Sequence, residues 1–201
     1  MLFLDIINNS PIIITFSSLL LFIYFQSFFF LVMFILQFIG IYINKFLKEY
    51  IFKPIYMIHG KKIDEGISLP LLFIGNRPLG SSCCDAIFKC SEKISKTFGM
   101  PSGHAQSIGI FTSMVLLFWY NNNKKIGKIG KLTKMINERW GWLLIIFILI
   151  LGIFYTRVYY TGCHTIQQVL VGFLVGIGIG YLGYDIYVKM GETFFLEEKT
   201  I

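Results

Sequence analysis

Charge is what this 201-residue chain has least of. Only 14% of its residues are Asp, Glu, Lys or Arg, where a soluble domain of ordinary composition carries about a quarter. The deficit is uneven. Long uncharged runs alternate with short basic segments, which is the pattern of a polytopic membrane protein and excludes an ordinary soluble domain. Acidic residues are scarcer than basic ones, 11 against 18, for a formal net charge of +7. The positive groups fall between apolar runs and not on one soluble face. That argues against nucleic acid as a partner and for contact with membrane lipids at their head groups. Cysteine is also sparse, and no pair among Cys83, Cys84, Cys90 and Cys163 has zinc-ligand spacing, so the cysteines give no sign of a metal centre. Two readings of them stand side by side. Cys83 or Cys84 bridges Cys90 in a loop facing an oxidising lumen, or the thiols are free and packed as small hydrophobes. The apolar N-terminus lacks a basic leader and a small-residue cleavage site, so it reads as a retained membrane segment.

What is abundant is apolar sequence, 55% of the chain. Residues 12–43 contain no charge at all. As one helix this run would extend roughly 48 Å, against a bilayer core of about 30 Å. Two spans meeting near Gln26-Ser27 are therefore expected, the first starting near Leu2 with a kink at Pro11. Residues 44–65 mix charged and apolar side chains and read as a span end followed by an interfacial stretch. Residues 66–100 form the longest non-membrane region, with a helical piece over 85–97. Further apolar runs cover 102–120, 140–158 and 164–188, with a basic loop over 121–139. The glycines at Gly172, Gly176 and Gly180 recur every four residues, a device for close helix packing in lipid with no chemistry attached. The expected fold is all-α: one membrane helix bundle over 1–201, with four or five transmembrane helices and an interfacial active site.

Three clusters carry polar chemistry: Gly75-Asn76-Arg77-Pro78, Gly99-Met100-Pro101-Ser102-Gly103-His104-Ala105-Gln106, and the segment from Thr156 to Val169. If 104–120 crosses the membrane and 141–158 crosses back, His104 and Arg157 end on one face, and His164 starts the next crossing there. Lys48 joins them if the 49–101 loop does not cross. Ser102 stands where a helix N-cap belongs, beside backbone N–H groups suited to a phosphate. Arginine offers a planar, permanently charged fork for phosphate oxygens. Two histidines can divide the nucleophile and general-acid roles, because imidazole titrates near neutrality. Gln168, one helical turn after His164, is placed to orient its ring.

The Pro-Ser-Gly-His segment and the following Arg…His segment together resemble the lipid phosphate phosphatase (type-2 phosphatidic acid phosphatase) superfamily. Gly99 to Gln106 and the Arg157-Val158-Tyr159, His164-Thr165 and Gln168-Val169 pieces look most like its dolichyldiphosphatase branch, over roughly residues 44–185. The resemblance implies His164 as the nucleophile that forms a phosphohistidine, and His104 as the acid that protonates the leaving group. It implies Arg77, Arg157, Lys48, Ser102 and Gly103 as phosphate ligands, with no metal and no cofactor. Three features depart from the family pattern. The first motif's lysine stands seven positions before its arginine, yet Pro70 occupies that place here, so an insertion between Lys48 and Arg77 is expected. Six residues separate Arg157 from His164 where the family usually has five. Gln168 stands where many members have Asp, and the dolichyldiphosphatase branch also has glutamine there.

The function expected from the resemblance is hydrolysis of a polyisoprenyl diphosphate such as dolichyl diphosphate to its monophosphate. The alternatives are a phosphatidic acid or related phospholipid phosphate as substrate, or a degenerate relative that binds lipid or acts as a scaffold. The positive-inside rule places 121–139 in the cytoplasm and the polar clusters on the lumenal face of an endoplasmic-reticulum-type membrane.

Overall fold

A computed structural model gives the architecture and describes residues 2–55, 77–78, 81, 84, 98–124 and 132–197. Among these the regular structure is helical throughout. The helices are α1 (Leu2–Asn8), α2 (Ser10–Phe25), α3 (Phe28–Phe46), α4 (Gly103–Lys124), α5 (Leu132–Tyr155) and α6 (Ile166–Glu197). Two π-helical turns, Leu47–Phe52 and Thr156–Tyr160, prolong α3 and α5. Three stretches are long and apolar enough to cross a membrane: Phe28–Ile55, Leu143–Tyr160 and Ile166–Gly191, with Ser10–Phe25 as a shorter apolar helix. The protein is an all-α polytopic membrane bundle.

The uncharged N-terminal run breaks at Gln26-Ser27. Gln26 adopts a left-handed φ of 48° and gives its N–H to the Phe22 carbonyl at 2.7 Å, closing α2. Ser27 is extended, and α3 starts at Phe28. An earlier interruption falls at Asn9, so Pro11 does not kink a continuous helix. It sits in the first turn of α2, where its missing N–H leaves no bond unmade. Helix α4 runs on to Lys124 and α5 begins at Leu132, so the loop expected over 121–139 is largely helical. Residues 132–138 carry no glycine or proline to stop a helix. The expected interfacial stretch beyond Ile55 and the helical piece over 85–97 lie outside the described residues.

The bundle is apolar outside and partly polar inside, as lipid requires. Leu144, Phe147 and Leu151 of α5 and Leu170, Leu174 and Tyr181 of α6 are exposed, whereas Gln37, Gln106, Ser107 and Ser113 are buried. The buried amides join α3 to α4. Ser107 Oγ donates to Gln37 Oε1 at 2.6 Å, and Gln37 Nε2 returns a bond to the Ser107 carbonyl at 3.2 Å. Gln106 Nε2 donates to the Gly40 carbonyl at 2.7 Å, and Asn44 Nδ2 donates to Gln106 Oε1 at 2.8 Å.

The closest helix pair is α4 with α6, and the glycine repeat explains it. A methyl group on Gly172 would strike the Ser102 backbone, one on Gly176 the Gln106 carbonyl, and one on Gly180 the Ser113 hydroxyl. One end of the bundle is closed by rings, with Phe29 of α3 packed on Phe118 of α4 (centroids 4.2 Å apart) and on Tyr187 of α6 (5.6 Å). Near the other end Ile7, Ala105, Ile108, Ile153 and Val169 pack together. The end of α1, the start of α4, the end of α5 and the start of α6 therefore meet there.

Candidate active site

The polar clusters gather at that second end. The site begins with the turn between α5 and α6. The carbonyl of Arg157 accepts N–H bonds from both Cys163 and His164, each at 3.1 Å, and so draws His164 back over Arg157. The π-helical turn Thr156–Tyr160 makes this closure, with Thr161 N–H bonded to the Thr156 carbonyl five residues back at 2.8 Å. A π turn accommodates one residue more than an α turn, which is how the longer Arg157–His164 spacing is absorbed. Gly162 completes the reversal at φ +59°, a conformation open to glycine without cost.

His164 lies just ahead of α6 and is 2% exposed. Its Nδ1 meets Gln168 Oε1 at 3.1 Å, and the same oxygen accepts the Thr165 N–H at 3.3 Å. Two donors on one oxygen fix the Gln168 amide orientation. They also place the His164 proton on Nδ1 and leave the lone pair on Nε2. That Nε2 faces Arg77 Nη1 at 3.3 Å, and Arg77 Nη1 also donates to the Cys163 carbonyl at 3.3 Å. Burial, then the charges of Arg157, Arg77, Lys48 and His104, push the His164 pKa well below its ordinary value. The ring is therefore neutral at pH 7, with its Nε2 lone pair turned to the Arg77 guanidinium.

Arg157 is fully buried. Its Nη2 donates to the Cys84 carbonyl at 2.8 Å and its Nη1 to Asn8 Oδ1 at 2.9 Å. Ser102 precedes the first residue of α4, and its carbonyl accepts the Gln106 N–H at 3.0 Å. Its own N–H goes to the Gln168 carbonyl at 3.0 Å, which ties the start of α4 to the helix carrying His164. The Ser102 hydroxyl is fully buried and has no hydrogen-bond partner among the described residues, so it does not cap α4. It remains a donor beside the free N–H groups of the first α4 turn. Asn44 Nδ2 supports the segment from the other side through the Pro101 carbonyl at 3.3 Å, and Gly103 lies against the same amide. His104 follows, half-buried, with the Asn8 main chain facing its ring. Lys48 lies in the first π-helical turn, and its charge reaches His164.

The structure thus brings together Lys48, Arg77, Ser102, Gly103, His104, Arg157, His164 and Gln168. Among the described residues no group of three or more His, Cys, Asp or Glu gathers as metal ligands would. The arrangement can bind a phosphoryl group in a cationic pocket and present it to a neutral imidazole.

The cysteine expectation is overturned as well. Cys84 is bonded to Cys163, so it is neither free nor paired with Cys90. The residue whose carbonyl receives Arg157 is the one that bridges to the neighbour of His164, so Cys84 lies against the α5–α6 turn. Cys83 and Cys90 lie outside the described residues. Sequence reasoning also assigned nothing to Asn8, Asn44 or the Gln106 side chain. The one available signal was that each is an amide set in an apolar run, where unsatisfied polar groups are costly.

A cavity of about 210 Å³ adjoins the site between α2, α3 and α4. Ile12, Thr15, Ile41 and Ile110 line its length, and Gly103 and His104 line one side.

Comparison with known proteins places the site in context. Residues 69–191 match the PAP2 superfamily. Over 97 residues the chain is 31% identical to dolichyldiphosphatase 1 of Dictyostelium discoideum. That alignment covers 47% of this chain and 38% of the relative, so the chain matches well under half of that protein's length. No solved structure matches. A family match over most of the chain contains both the Pro-Ser-Gly-His segment and the turn that bears Arg157 and His164, and it establishes that this chain belongs to the PAP2 superfamily.

Proposed function

We propose that this protein is a lipid phosphatase of the lumenal membrane face that converts a polyisoprenyl diphosphate, such as dolichyl diphosphate, to its monophosphate through a phosphohistidine on His164. The observation that carries the reading is the state of His164, whose Nδ1 is held by Gln168 while a neutral Nε2 points at Arg77. An imidazole fixed this way is a nucleophile aimed at the place where a guanidinium would hold a phosphoryl group.

The steps follow from that geometry. The terminal phosphoryl group enters with its oxygens toward Arg77, Arg157, Lys48, the Ser102 hydroxyl and the first N–H groups of α4, and Arg77 exchanges its contact with Nε2 for phosphoryl oxygens. Nε2 then attacks phosphorus. The N–P bond forms as the bond to the bridging oxygen breaks, and His104, which takes up a proton as the anionic diphosphate enters beside the cations, gives that proton to the departing polyisoprenyl monophosphate. Water, deprotonated by His104, next cleaves the N–P bond and releases inorganic phosphate. The arginines, the lysine and the helix N-terminus stabilise the equatorial charge, which is the main requirement of phosphoryl transfer.

In-line displacement sends the leaving group away from His164, toward His104. The cavity between α2, α3 and α4 is lined by His104 and not by His164. That supports a substrate whose apolar tail lies in the cavity while its diphosphate reaches the cations. The similarity to a dolichyldiphosphatase supports a dolichyl diphosphate as that substrate. The disulfide beside His164 favours an oxidising lumen for the active face, as does the basic sequence between α4 and α5.

The test is phosphate release by the detergent-purified protein from dolichyl diphosphate, phosphatidic acid and inorganic diphosphate, with and without EDTA. Dolichyl diphosphate is expected to be turned over fastest, and EDTA to leave the rate unchanged. His164→Ala and His104→Ala are each expected to lose at least about 10²-fold. Quenching during turnover in alkaline denaturant should trap acid-labile, base-stable phosphate on wild type and none on His164→Ala. Preference for phosphatidic acid would replace the substrate and keep the mechanism. Full activity in His164→Ala would end the mechanism.

A further inference from the structure

We infer that Asn8, in the N-terminal helix that precedes the family-matched region, is a positioning residue of the active site that holds the Arg157 guanidinium for the substrate phosphate. This rests on the phosphate-binding role proposed above for Arg157.

The match to the family starts at residue 69, so α1 lies wholly outside it. Even so, α1 is docked onto the site by three contacts. Asn8 Oδ1 accepts from Arg157 Nη1 at 2.9 Å. Ile7, 3% exposed, fills the space above Gly152, where a methyl group would come within 2.9 Å of it. Asp5 Oδ1 accepts from the Tyr160 hydroxyl at 3.2 Å. Contacts at Gly152, Arg157 and Tyr160 span the end of α5 and the π-helical turn. The helix is thus fitted along the element that carries Arg157.

The chemistry of the partner matters as much as its distance. Arginine has five N–H donors in one plane. In this site Nη2 is taken by the Cys84 carbonyl and Nη1 by Asn8. Two neutral acceptors on different terminal nitrogens, from chain segments far apart in sequence, fix the plane of the guanidinium. Being neutral, neither of these two acceptors offsets the guanidinium charge. A carboxylate in place of Asn8 would hold the same nitrogen and would compete with the phosphate by neutralising that charge. Asparagine supplies the acceptor without the competition.

The experiment uses the full-length protein in detergent and compares kcat and KM on the substrate that wild type hydrolyses best. The variants are Asn8→Ala, Asn8→Asp and Arg157→Ala, each with its thermal unfolding midpoint. Alanine is the best helix former, so Asn8→Ala should keep α1 and its docking. It is expected to lose kcat by up to about 10²-fold, the scale on which misplacing a positioning group acts, while its midpoint stays near wild type. Asn8→Asp restores the acceptor, so kcat should return to within a few-fold of wild type while KM rises, and that rise should shrink in high salt. A purely structural role would make activity follow the unfolding midpoint in both variants and would not separate kcat from KM. If Asn8→Ala keeps wild-type kcat while Arg157→Ala is inactive, Asn8 has no positioning role and the reading of Arg157 stands. If Arg157→Ala is itself fully active, the phosphate-binding role fails first. Should Asn8→Ala fold poorly, unchanged kcat and KM in Asn8→Asp would overturn the proposal by itself.

Discussion

Replacing Gln168 separates the nucleophile reading of His164 from every reading in which that ring is only a buried polar group. Gln168 is fully buried, and its side-chain oxygen accepts from both His164 Nδ1 and Thr165 N–H. In Gln168→Leu both donors lose their acceptor inside the protein, at about 1–3 kcal/mol each in stability. The effect on rate comes from orientation. Without the acceptor the ring can turn, or can carry its proton on Nε2. A wrong tautomer alone costs about 10⁴-fold in a serine-protease triad. Here the Arg77 donor at Nε2 still favours the productive tautomer, so a loss between about 10² and 10⁴ in kcat is expected. Gln168→Asp acts differently. His164 has its pKa held down by burial and by the neighbouring cations. A carboxylate on Nδ1 would stabilise the imidazolium and raise that pKa, by about 1–3 pH units for a close opposite charge. Protonated His164 cannot attack, so activity is lost as pH falls through its pKa. The acid limb of kcat/KM should therefore move to higher pH in Gln168→Asp, measured on one substrate so that substrate ionisation cancels. Gly99→Ala offers an independent check, since its methyl group would press on the Gln168 amide from 2.6 Å. It should reproduce the rate loss without the pH shift. An unmoved acid limb in Gln168→Asp, together with Gln168→Leu within about threefold of wild type, would refute the assignment of His164.

Three further outcomes are expected. Gly172→Ala should drive a methyl group into the Ser102 backbone, destabilising by about 1–3 kcal/mol and lowering activity more than Gly178→Ala, where the space is open; phosphate release and thermal unfolding check this together. Cys84→Ser removes a bridge spanning 79 residues and should cost about 2–4 kcal/mol, while a reductant should lower the unfolding midpoint of wild type but not of the variant. Gln37→Leu or Ser107→Ala alone should destabilise by about 0.6–2 kcal/mol, because each leaves a buried partner behind. The double variant should cost less than the sum, which a double-mutant cycle in a denaturing detergent can measure.

What the sequence made legible followed physical rules that need no partner. The length of the uncharged run against the thickness of a bilayer located the break at Gln26-Ser27. The glycine repeat announced a close helix contact, although its consequence was hidden: Gly172 seats the backbone of Ser102 itself. The convergence of His104, Arg157 and His164 followed from counting crossings. Pairings between distant segments were not legible. Cys84 finds Cys163 across 79 positions of sequence, and spacing alone favoured a nearer partner. Asn8 lies 149 positions from Arg157, and an amide in an apolar run does not say what it faces. The break at Asn9 was misplaced to Pro11 because proline reads as a kink in mid-helix and as a start in a first turn.

The two π-helical turns connect these observations. One contains Lys48 and the other Arg157, and each closes with a bond from the residue five positions on, Lys53 N–H to the Lys48 carbonyl and Thr161 N–H to the Thr156 carbonyl. Adding one residue within an α-helix would rotate everything after it by about 100°. Confining the addition to a π turn keeps the preceding helix in register with its neighbours and re-aims only the few residues at its end. At Arg157 the side chain stays fully buried against Asn8 and Cys84, while the lengthened spacing to His164 is taken up within the turn and at Gly162. Departure from the family's spacing is therefore compatible with an assembled site, provided the segments that meet the turn are fitted to it. Here those segments are α1 and the loop bearing Cys84. The first lies outside the family match, so part of the support for Arg157 comes from sequence that the match does not cover.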